Sequence, residues 1–497
     1  MNWIIVFSGV KWTMKFIQKY KDKLLGYGIN FLLLLTFWGG MLRKSFNCDT
    51  LSHMLAEDAD IVHRVRGGRY LAALGDYLLL KIGLRTTTNL SITMLLAFLL
   101  LALAMLEIQG IFSQFMPEKL GARVGFFCGL NLVFLNVLFA EPLMFSECSV
   151  YFGAAYLTAA MGVKCFTQRK YARMFILYGI AVCFYQNATV FAAVLTAFYI
   201  CLDEKMALSR KAVAREITGV AVCMGMGVLN LLSIYILRYF KVITSYGMDV
   251  ATGSIGAKFK EAIWHYISLN KNSAGIMFSV WLPLLFILAV WILIMYSGIR
   301  THKLSGIFFL FLVWLGSNCL LYVIPMMEKK FYFPPRLSFC FFLIQGLMLV
   351  SAYGICEDSL HSLLSIGGVV FLTAHLLFAD FTVTNHFVSN TLDEVYINMV
   401  YEEVVKYEQE TGVPVTKLAV AHDAYTPFSY LGISFVSDQI NERALGTVPC
   451  TLMEVVTGKK FEKIEMPQDV YEQYFSGEDW DYFDLEKQLV IEGDTAY

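Results

Sequence analysis

Long uncharged stretches of mostly apolar residues recur along the chain as far as residue 380. About 18 such residues form a helix that crosses the ~30 Å hydrocarbon core of a bilayer. The stretches lack the alternation of apolar and polar residues seen in membrane β-strands, so they predict helical spans. They lie at residues 24–42, 89–112, 124–140, 149–166, 171–185, 187–202, 217–239, 276–296, 304–325, 337–356 and 363–380. We therefore predict a mainly α fold, a polytopic transmembrane helical bundle of about 11 spans.

The segment from residue 171 to residue 202 admits two interpretations. It is too long for one membrane-crossing helix and short for two. Basic residues flank it on both sides, which favours a hairpin that turns near Tyr185-Gln186-Asn187. A single helix would instead move the C-terminal segment to the cytoplasmic side.

Lysine and arginine concentrate in alternate loops, as they do in cytoplasmic loops of membrane proteins. Residues 1–23 are basic, and residues 1–10 are too short to span and lack a small-residue cleavage site, so we expect a cytoplasmic N-terminus without a removable signal peptide. The predicted cytoplasmic loops carry Lys119 and Arg123; Arg169, Lys170 and Arg173; Lys205, Arg210, Lys211 and Arg215; and Arg300 and Lys303. We place the protein in the plasma (inner) membrane, in contact with membrane lipids.

The net charge of −1 conceals two unlike parts. Residues 382–497 contain 21 acidic and 7 basic side chains, so this part carries −14 and the rest of the chain +13. Helical spacing at 391–410 and strand-like runs at 417–422 and 433–436 predict a small α/β domain. We therefore divide the chain into residues 1–23, a transmembrane domain at 24–380 and an acidic extracytoplasmic domain at 381–497.

The first predicted outer loop places acidic residues near arginines. Asp49 follows the first span, Asp58 and Asp60 come next, and Arg69 and Tyr70 follow two glycines. Arginine binds phosphate through paired hydrogen bonds, and a carboxylate can take a proton from a hydroxyl. The loop therefore suits a phosphate-bearing substrate and proton transfer. A solvated amphipathic helix is the alternative.

Two later outer turns carry polar residues between apolar spans, where the bilayer makes them costly. Glu141, a candidate catalytic residue, and Glu147, a candidate binding residue, flank a short apolar run. They suit either a functional site or the lipid headgroup layer. Gln186 lies in the predicted hairpin turn. It suits either a substrate contact or a hydrogen bond between two helices.

The outer loop at residues 326–336 carries positive charge on the face where it is rare. Its candidate residues are Lys329, Lys330, Tyr332 and Arg336. Basic side chains there can hold a lipid phosphate, and the aromatic rings can lie beside a sugar or prenyl chain. We interpret this loop as a substrate-binding element.

Several other chemistries lack their sequence motifs. The chain contains no phosphate-binding Walker loop, no zinc-type His-Glu pattern and no nucleophile elbow. Most of its 11 cysteines fall within predicted spans, where cysteine behaves as a small apolar residue. No basic stripe with interleaved aromatic residues is present, so nucleic acid is not an expected partner.

Taken in order, these outer-loop features resemble the GtrII-type glucosyltransferases, bacterial relatives of the GT-C class. The resemblance covers about residues 24–380. It rests on Asp49 after the first span, the Gly68-Arg69-Tyr70 step, Tyr185-Gln186 between two short helices, and the aromatic-Pro-Arg loop that ends at Arg336. The family usually has adjacent acids after the first span, whereas this chain has Asn47-Cys48-Asp49.

The resemblance implies a GT-C-like enzyme that moves a sugar, with glucose the expected one, from a polyprenyl-phosphate donor to an extracytoplasmic cell-surface glycan with inversion. Asp49 would take the proton of the acceptor hydroxyl, and Arg69, Lys329, Lys330 and Arg336 would hold the leaving phosphate. A Mg²⁺ or Mn²⁺ site with two carboxylates would need Asp58 or Asp60 to supply the second acid.

Two other classes of membrane protein also act on lipid-linked saccharides. A transporter or flippase of lipid-linked saccharides would explain the spans and outer charges, but the two halves of the chain show no internal repeat. A surface-polysaccharide polymerase or ligase would be expected to carry its long outer loop late in the chain rather than first.

Overall fold

The computed structural model describes residues 21–55, 59–244, 254–277, 281–327, 331–421, 440, 442–477 and 484–497, with the backbone alone at residues 59 and 60. The first helices are α1 (Lys21–Leu42), α2 (Cys48–Met54), α3 (Ala59–Arg66) and α4 (Tyr70–Lys81). The central helices are α5 (Leu90–Phe112), α6 (Leu120–Asn131), α7 (Ala140–Met144), α8 (Ser149–Thr167), α9 (Tyr171–Phe184), α10 (Ala188–Asp203), α11 (Arg210–Tyr239), α12 (Ile255–Asn272), α13 (Leu282–Arg300), α14 (Leu304–Leu320) and α15 (Val323–Met327). The helices that follow are α16 (Pro335–Ser338), α17 (Cys340–Ile355), α18 (His361–Thr411), α19 (Ala444–Thr447), α20 (Pro449–Thr457), α21 (Gln468–Val470) and α22 (Leu485–Gln488).

The described part of the chain contains six helices long and apolar enough to cross a membrane. They are Lys21–Leu42, Leu90–Phe115, Arg210–Tyr239, Leu282–Arg300, Pro335–Ile355 and His361–Thr411. Three further apolar helices, α9, α10 and α14, are shorter. Each of the nine overlaps a predicted span, so the mainly α fold of apolar helices is confirmed. The number of about 11 spans stays a prediction.

The span expected at 124–140 is not one continuous helix. α6 ends at Asn131, and a 3-10 turn at Val137–Phe139 leads into α7. The Asn136 side chain donates to the carbonyl of Leu132 at 2.8 Å and accepts from the amide of Leu138 at 3.2 Å, so it replaces backbone hydrogen bonds lost at the break. The broken backbone is buried among other helices, the setting in which irregular structure is tolerated in a membrane protein.

The segment from residue 171 to residue 202 forms the favoured hairpin. α9 ends at Phe184 and α10 begins at Ala188. The hydroxyl oxygens of Tyr178 and Thr196 lie 3.5 Å apart, and each is about two to three turns from the bend, so the two helices run back alongside each other. A single helix across this segment is excluded by the geometry.

Loops predicted to share one side of the membrane contact one another in the structure. At one end of the bundle, Lys119 forms an ion pair with Asp358 at 3.0 Å, and Arg300 lies 3.6 Å from Glu357. At the other end, residues of the loops at 43–88, 141–148 and 326–336 line one pocket. These contacts group the loops at two ends of the bundle, and which end faces the cytoplasm stays a prediction from charge.

The last predicted span and the helix expected at 391–410 form one helix, α18, of 51 residues. The sequence between residue 381 and Thr411 contains neither glycine nor proline, so nothing in it interrupts the helix. Gly412 then ends the helix with a φ of 74°, a conformation that glycine adopts without strain. The backbone therefore has no break at the boundary predicted at residue 381.

The end of the chain adds a small sheet and a second hydrophobic core. Strands β1 (Lys417–Leu418), β2 (Glu462–Lys463), β3 (Ile491–Glu492) and β4 (Thr495–Ala496) pair in the order β2-β1-β4-β3. Of the strand expected at 417–422, residues 417–421 are described, and among these Lys417 and Leu418 form β1. The run at 433–436 lies outside the described residues. Side chains of α18, α20 and these strands form a core that also includes Phe46, Cys48 and Leu51 of the first outer loop.

Candidate active site

The first wall of the pocket is α2, whose start is fixed by a cap. The Asn47 side chain accepts a hydrogen bond from the amide of Thr50 at 2.6 Å, the usual role of an N-cap asparagine. Its amide group also donates to the carbonyl of Met144 at 3.1 Å. This cap joins α2 to the turn after α7 and places Asp49 in the first turn of α2, at the edge of the pocket.

The pocket encloses about 90 Å³. Its lining comes from parts of the chain that are far apart in sequence: Asp49, His53, His63, Arg64, Arg69, Phe145, Glu147, Cys148, Phe152, Tyr185 and Arg336. Four of the residues predicted from sequence, Asp49, Arg69, Glu147 and Arg336, are thus brought together.

Arg336 is held by a buried carboxylate. Its backbone amide donates to Glu141 Oε2 at 2.6 Å, and its guanidinium donates to Glu141 Oε1 at 2.9 Å. A second guanidinium nitrogen donates to the hydroxyl of Tyr332 at 3.0 Å, and the side chain of Asn187 donates to the Arg336 carbonyl at 3.0 Å. Glu141 is fully buried behind Arg336 and does not line the pocket. The structure therefore places Glu141 as a support for Arg336.

Arg69 lines the pocket and lies over the ring of Tyr185. Its guanidinium lies 5.6 Å from the ring centroid of Tyr185. The Nε of Arg69 and the hydroxyl of Tyr185 are both buried, and neither has a hydrogen-bond partner among the described residues. Buried polar groups in native proteins nearly always have partners, and these two atoms are available to a polar molecule bound in the pocket.

Tyr185 is held in place by other aromatic rings. Its ring centroid lies 4.6 Å from that of Phe152 and 6.3 Å from that of Tyr156, both in edge-to-face geometry. Tyr156 in turn packs edge-to-face against Phe339 at 5.1 Å, and each such pair contributes about 0.5–1.5 kcal/mol beyond burial. The side of the pocket next to the bundle is therefore aromatic and closely packed.

Glu147 lies at the inner side of the pocket. It is buried, and it accepts a hydrogen bond from the hydroxyl of Thr50 at 2.6 Å. Burial raises the pKa of this carboxyl, while the Thr50 hydrogen bond and the charge of Arg64 oppose the rise. A carboxyl in this setting retains its proton to higher pH than Asp or Glu at the surface.

Arg64 is a buried cation that sequence analysis did not single out. Its Nε forms an ion pair with Asp76, and a second guanidinium nitrogen lies 3.0 Å from the sulfur of Cys148. Asp76 also accepts from the hydroxyl of Tyr151 at 2.5 Å and from that of Thr86 at 3.3 Å. In the sequence, Arg64 was marked only by its place in an arginine-rich run, Arg64-Val-Arg-Gly-Gly-Arg69.

Two histidines also line the pocket, and sequence analysis missed both. The rings of His53 and His63 are 5.4 Å apart in edge-to-face geometry. His53 lies one helical turn after Asp49 on α2, so the two side chains share one face of that helix. This spacing of four residues was visible in the sequence and could have been used.

Three predicted binding residues, Tyr70, Gln186 and Tyr332, lie outside the pocket lining. The Tyr70 hydroxyl is 2.7 Å from that of Ser233, and the Gln186 amide donates to the carbonyl of Gly67 and to Asn230 Oδ1 at 3.3 Å. Asn230 also donates to the carbonyl of Gly68 at 2.9 Å. Gln186 and Asn230 therefore hold the glycine turn that precedes Arg69.

Four remaining candidates cannot be placed in the pocket. Asp58, Lys329 and Lys330 lie outside the described residues, as does the side chain of Asp60. Within the described part of the chain, no group of three or more His, Cys, Asp and Glu side chains could hold a metal ion. The Mg²⁺ or Mn²⁺ site therefore stays a prediction from the resemblance.

Comparison with known proteins gives no match, so a function has to be inferred from the pocket itself. No family model, curated protein or solved structure matches this chain. The chemistry of the pocket follows from its own groups: two arginines that can bind an anion, a buried carboxyl, and Asp49 with two histidines.

Proposed function

We propose that this chain is a membrane glycosyltransferase of the GtrII type. It moves a sugar, with glucose the expected one, from a polyprenyl-phosphate donor to a cell-surface glycan on the outer side of a bacterial plasma membrane. The observation that carries the proposal is the convergence of Arg69 and Arg336 with Asp49 on one pocket at the end of the bundle. Anion-binding groups and a candidate base within one small pocket are what a transfer from phosphate requires.

Arg69 and Arg336 bind the phosphate of the donor in this proposal. A guanidinium matches two oxygens of a phosphate at once, and Glu141 fixes the orientation of the Arg336 group. The buried Arg69 Nε and the Tyr185 hydroxyl would gain the hydrogen-bond partner that the described residues do not supply. The prenyl chain would extend toward the apolar helices, and the sugar would lie near Asp49.

Asp49 acts as the base in an inverting displacement. The acceptor hydroxyl gives its proton to the Asp49 carboxylate as its oxygen forms a bond to the anomeric carbon. The bond between that carbon and the phosphate oxygen breaks, and its electron pair leaves with the phosphate, whose charge Arg69 and Arg336 stabilise. No step is assigned to a metal ion.

The proposal includes a topology. The pocket lies on the extracytoplasmic side, the N-terminus is cytoplasmic and the C-terminal segment is outside. The pattern that supports this is the concentration of Lys119, Arg300 and their acidic partners at the end of the bundle opposite the pocket. The count of about 11 spans and the α/β character of the C-terminal domain belong to the same proposal.

The test uses the full chain purified in lipid nanodiscs and supplied with short-chain polyprenyl-phosphate glucose as the donor and a bacterial cell-surface glycan as the acceptor. Release of polyprenyl phosphate is measured for the wild type, Asp49→Asn and Arg336→Lys. We expect a fall of about 10²–10⁴-fold for the first variant and about 10²-fold or more for the second. Asp22→Asn and Arg300→Lys, which change exposed residues at the opposite end, should keep wild-type rates.

Two results would overturn the proposal. One is full activity in Asp49→Asn, which would remove the assigned base. The other is no release from any polyprenyl-phosphate hexose by folded wild type. In that case movement of a fluorescent lipid-linked saccharide across proteoliposomes would identify a transporter instead.

A further inference from the structure

The helix that carries Asp49 has two faces with different neighbours. Asp49 and His53 line the pocket. Cys48 and Leu51 are buried on the other side, in a hydrophobic core shared with Val404 of α18 and with other residues after position 396. One wall of the pocket is therefore packed on the C-terminal segment rather than on the transmembrane bundle alone.

A single side chain fixes the backbone directly before this helix. Asn390 of α18 accepts a hydrogen bond from the amide of Phe46 at 2.8 Å and donates to the carbonyl of the same residue at 2.9 Å. Both groups are buried, and Phe46 precedes the N-cap residue Asn47. Loss of this side chain would leave a buried amide and a buried carbonyl without partners, which is strongly unfavourable.

The same part of α18 is tied to the segment that covers α2. Asp393, three residues after Asn390, accepts from the Arg443 guanidinium at 2.6 Å and from the amide of Ala444 at 2.8 Å. Ala444 begins α19, and the next helix, α20, packs against both α18 and α2. α18, α20 and α2 thus form one packed unit.

We propose that the C-terminal segment positions Asp49 in the pocket, and that Asn390 is the positioning residue through which α18 sets the start of α2. The inference rests on the proposed function for the role of Asp49, but the contact between Asn390 and α2 can be tested without activity. Asn390 does not line the pocket, so its effect on the reaction passes through α2.

The first measurement is alkylation of Cys48 by a maleimide, followed by peptide mass spectrometry. Cys48, the first residue of α2, is buried in the core shared with the C-terminal segment. Burial, with nearby Glu442, raises the pKa of its thiol, so it should react slowly in the wild type. Asn390→Ala should increase the rate about tenfold or more. Cys450 in α20 and Cys201 in the bundle should keep their wild-type rates, which excludes general unfolding.

The second measurement is the kinetics of polyprenyl-phosphate release. Asn390→Ala should lower kcat by about 100-fold, the order expected when a catalytic group moves by about 1 Å, with KM for the donor nearly unchanged because Arg69 and Arg336 are not displaced. Asn398→Ala is the matched control, since Asn398 is an exposed asparagine of the same helix. Val404→Ala trims the shared core and should give a smaller change in the same direction.

The outcomes separate the two proposals. Wild type without activity refutes the proposed function, while the alkylation result still decides whether Asn390 holds α2. Unchanged Cys48 alkylation in both Asn390→Ala and Val404→Ala overturns the inference. So does faster alkylation with an unchanged kcat, or an equal loss of kcat in Asn398→Ala.

Discussion

The buried pair of Glu141 and Arg336 should contribute measurably to the stability of the fold. Glu141→Gln keeps the size of the side chain but removes its charge, and only one carbonyl oxygen remains to accept from Arg336. The carboxylate is fully buried and the arginine is 19% exposed, so solvent screens the pair weakly. Breaking a buried pair from one side costs about 3–5 kcal/mol, because the remaining charge loses its partner. We expect Glu141→Gln to lose about 2–4 kcal/mol, since the amide retains one hydrogen bond.

The assay is a double-mutant cycle with Glu141→Gln and Arg336→Gln. Reversible unfolding in mixed micelles, followed by tryptophan fluorescence, gives the free energy of unfolding of the wild type, both single variants and the double variant. The coupling energy should be about 1.5 kcal/mol or more. Arg300→Gln and Glu357→Gln provide a control cycle on an exposed pair separated by 3.6 Å, where no coupling should be measurable.

A coupling energy near zero for Glu141 and Arg336 would refute the assignment of Glu141 as the support of Arg336. A second readout comes from the reaction. If Glu141 orients Arg336, Glu141→Gln should raise KM for the polyprenyl-phosphate donor more than it lowers kcat, because phosphate binding is disturbed before Asp49 is.

Three further predictions follow. Burial raises the pKa of Glu147, so the folded state retains a proton that the unfolded state releases. The free energy of unfolding should therefore fall as pH rises above about 4.5. Glu147→Gln should flatten this slope when unfolding is measured from pH 4 to 8. Gly68→Ala should destabilise the fold by about 2 kcal/mol or more, since φ is 74° and an added Cβ would lie 2.7 Å from Asn230 Oδ1. Gly83 also has a positive φ, of 76°, but an added Cβ there would meet no atom within 4 Å. Gly83→Ala should therefore show the smaller cost of backbone strain alone in the same assay. Burial lowers the pKa of His265 to about 4, so stability should fall as pH drops from 6.5 toward 4, and His265→Gln should reduce that loss.

Sequence reasoning reached several pocket residues because their types carry a chemical signal. The four residues are charged and lie in loops between apolar spans: Asp49, Arg69, Glu147 and Arg336. Placing a charge close to the bilayer costs free energy, so such residues are often functional. The same reasoning selected Gln186 where the structure uses its neighbour Tyr185. Which of two adjacent turn residues faces the pocket depends on the backbone dihedrals at the bend, and these are set by packing of α9 and α10.

The length of α18 shows a different limit. The sequence from residue 361 to 411 changes from an apolar to an acidic composition, and this change suggested a domain boundary. A change from apolar to acidic residues introduces no helix breaker, so the composition changed without ending the helix. The buried Asn390 and Asp393 lie in this second half, where their partners are about 340 and 50 residues away in sequence.

The sequence by itself determined that the chain is built from apolar helices and where most of them lie. These properties depend on residue type over one helix length, because a bilayer selects for apolar side chains and for backbone hydrogen bonds made within a segment. Only the tertiary structure decided that Glu141 supports Arg336, that Arg64, His53 and His63 join the pocket, and that the C-terminal segment holds the helix of Asp49. Each of these depends on contacts between distant parts of the chain, whose geometry arises only when the helices pack together.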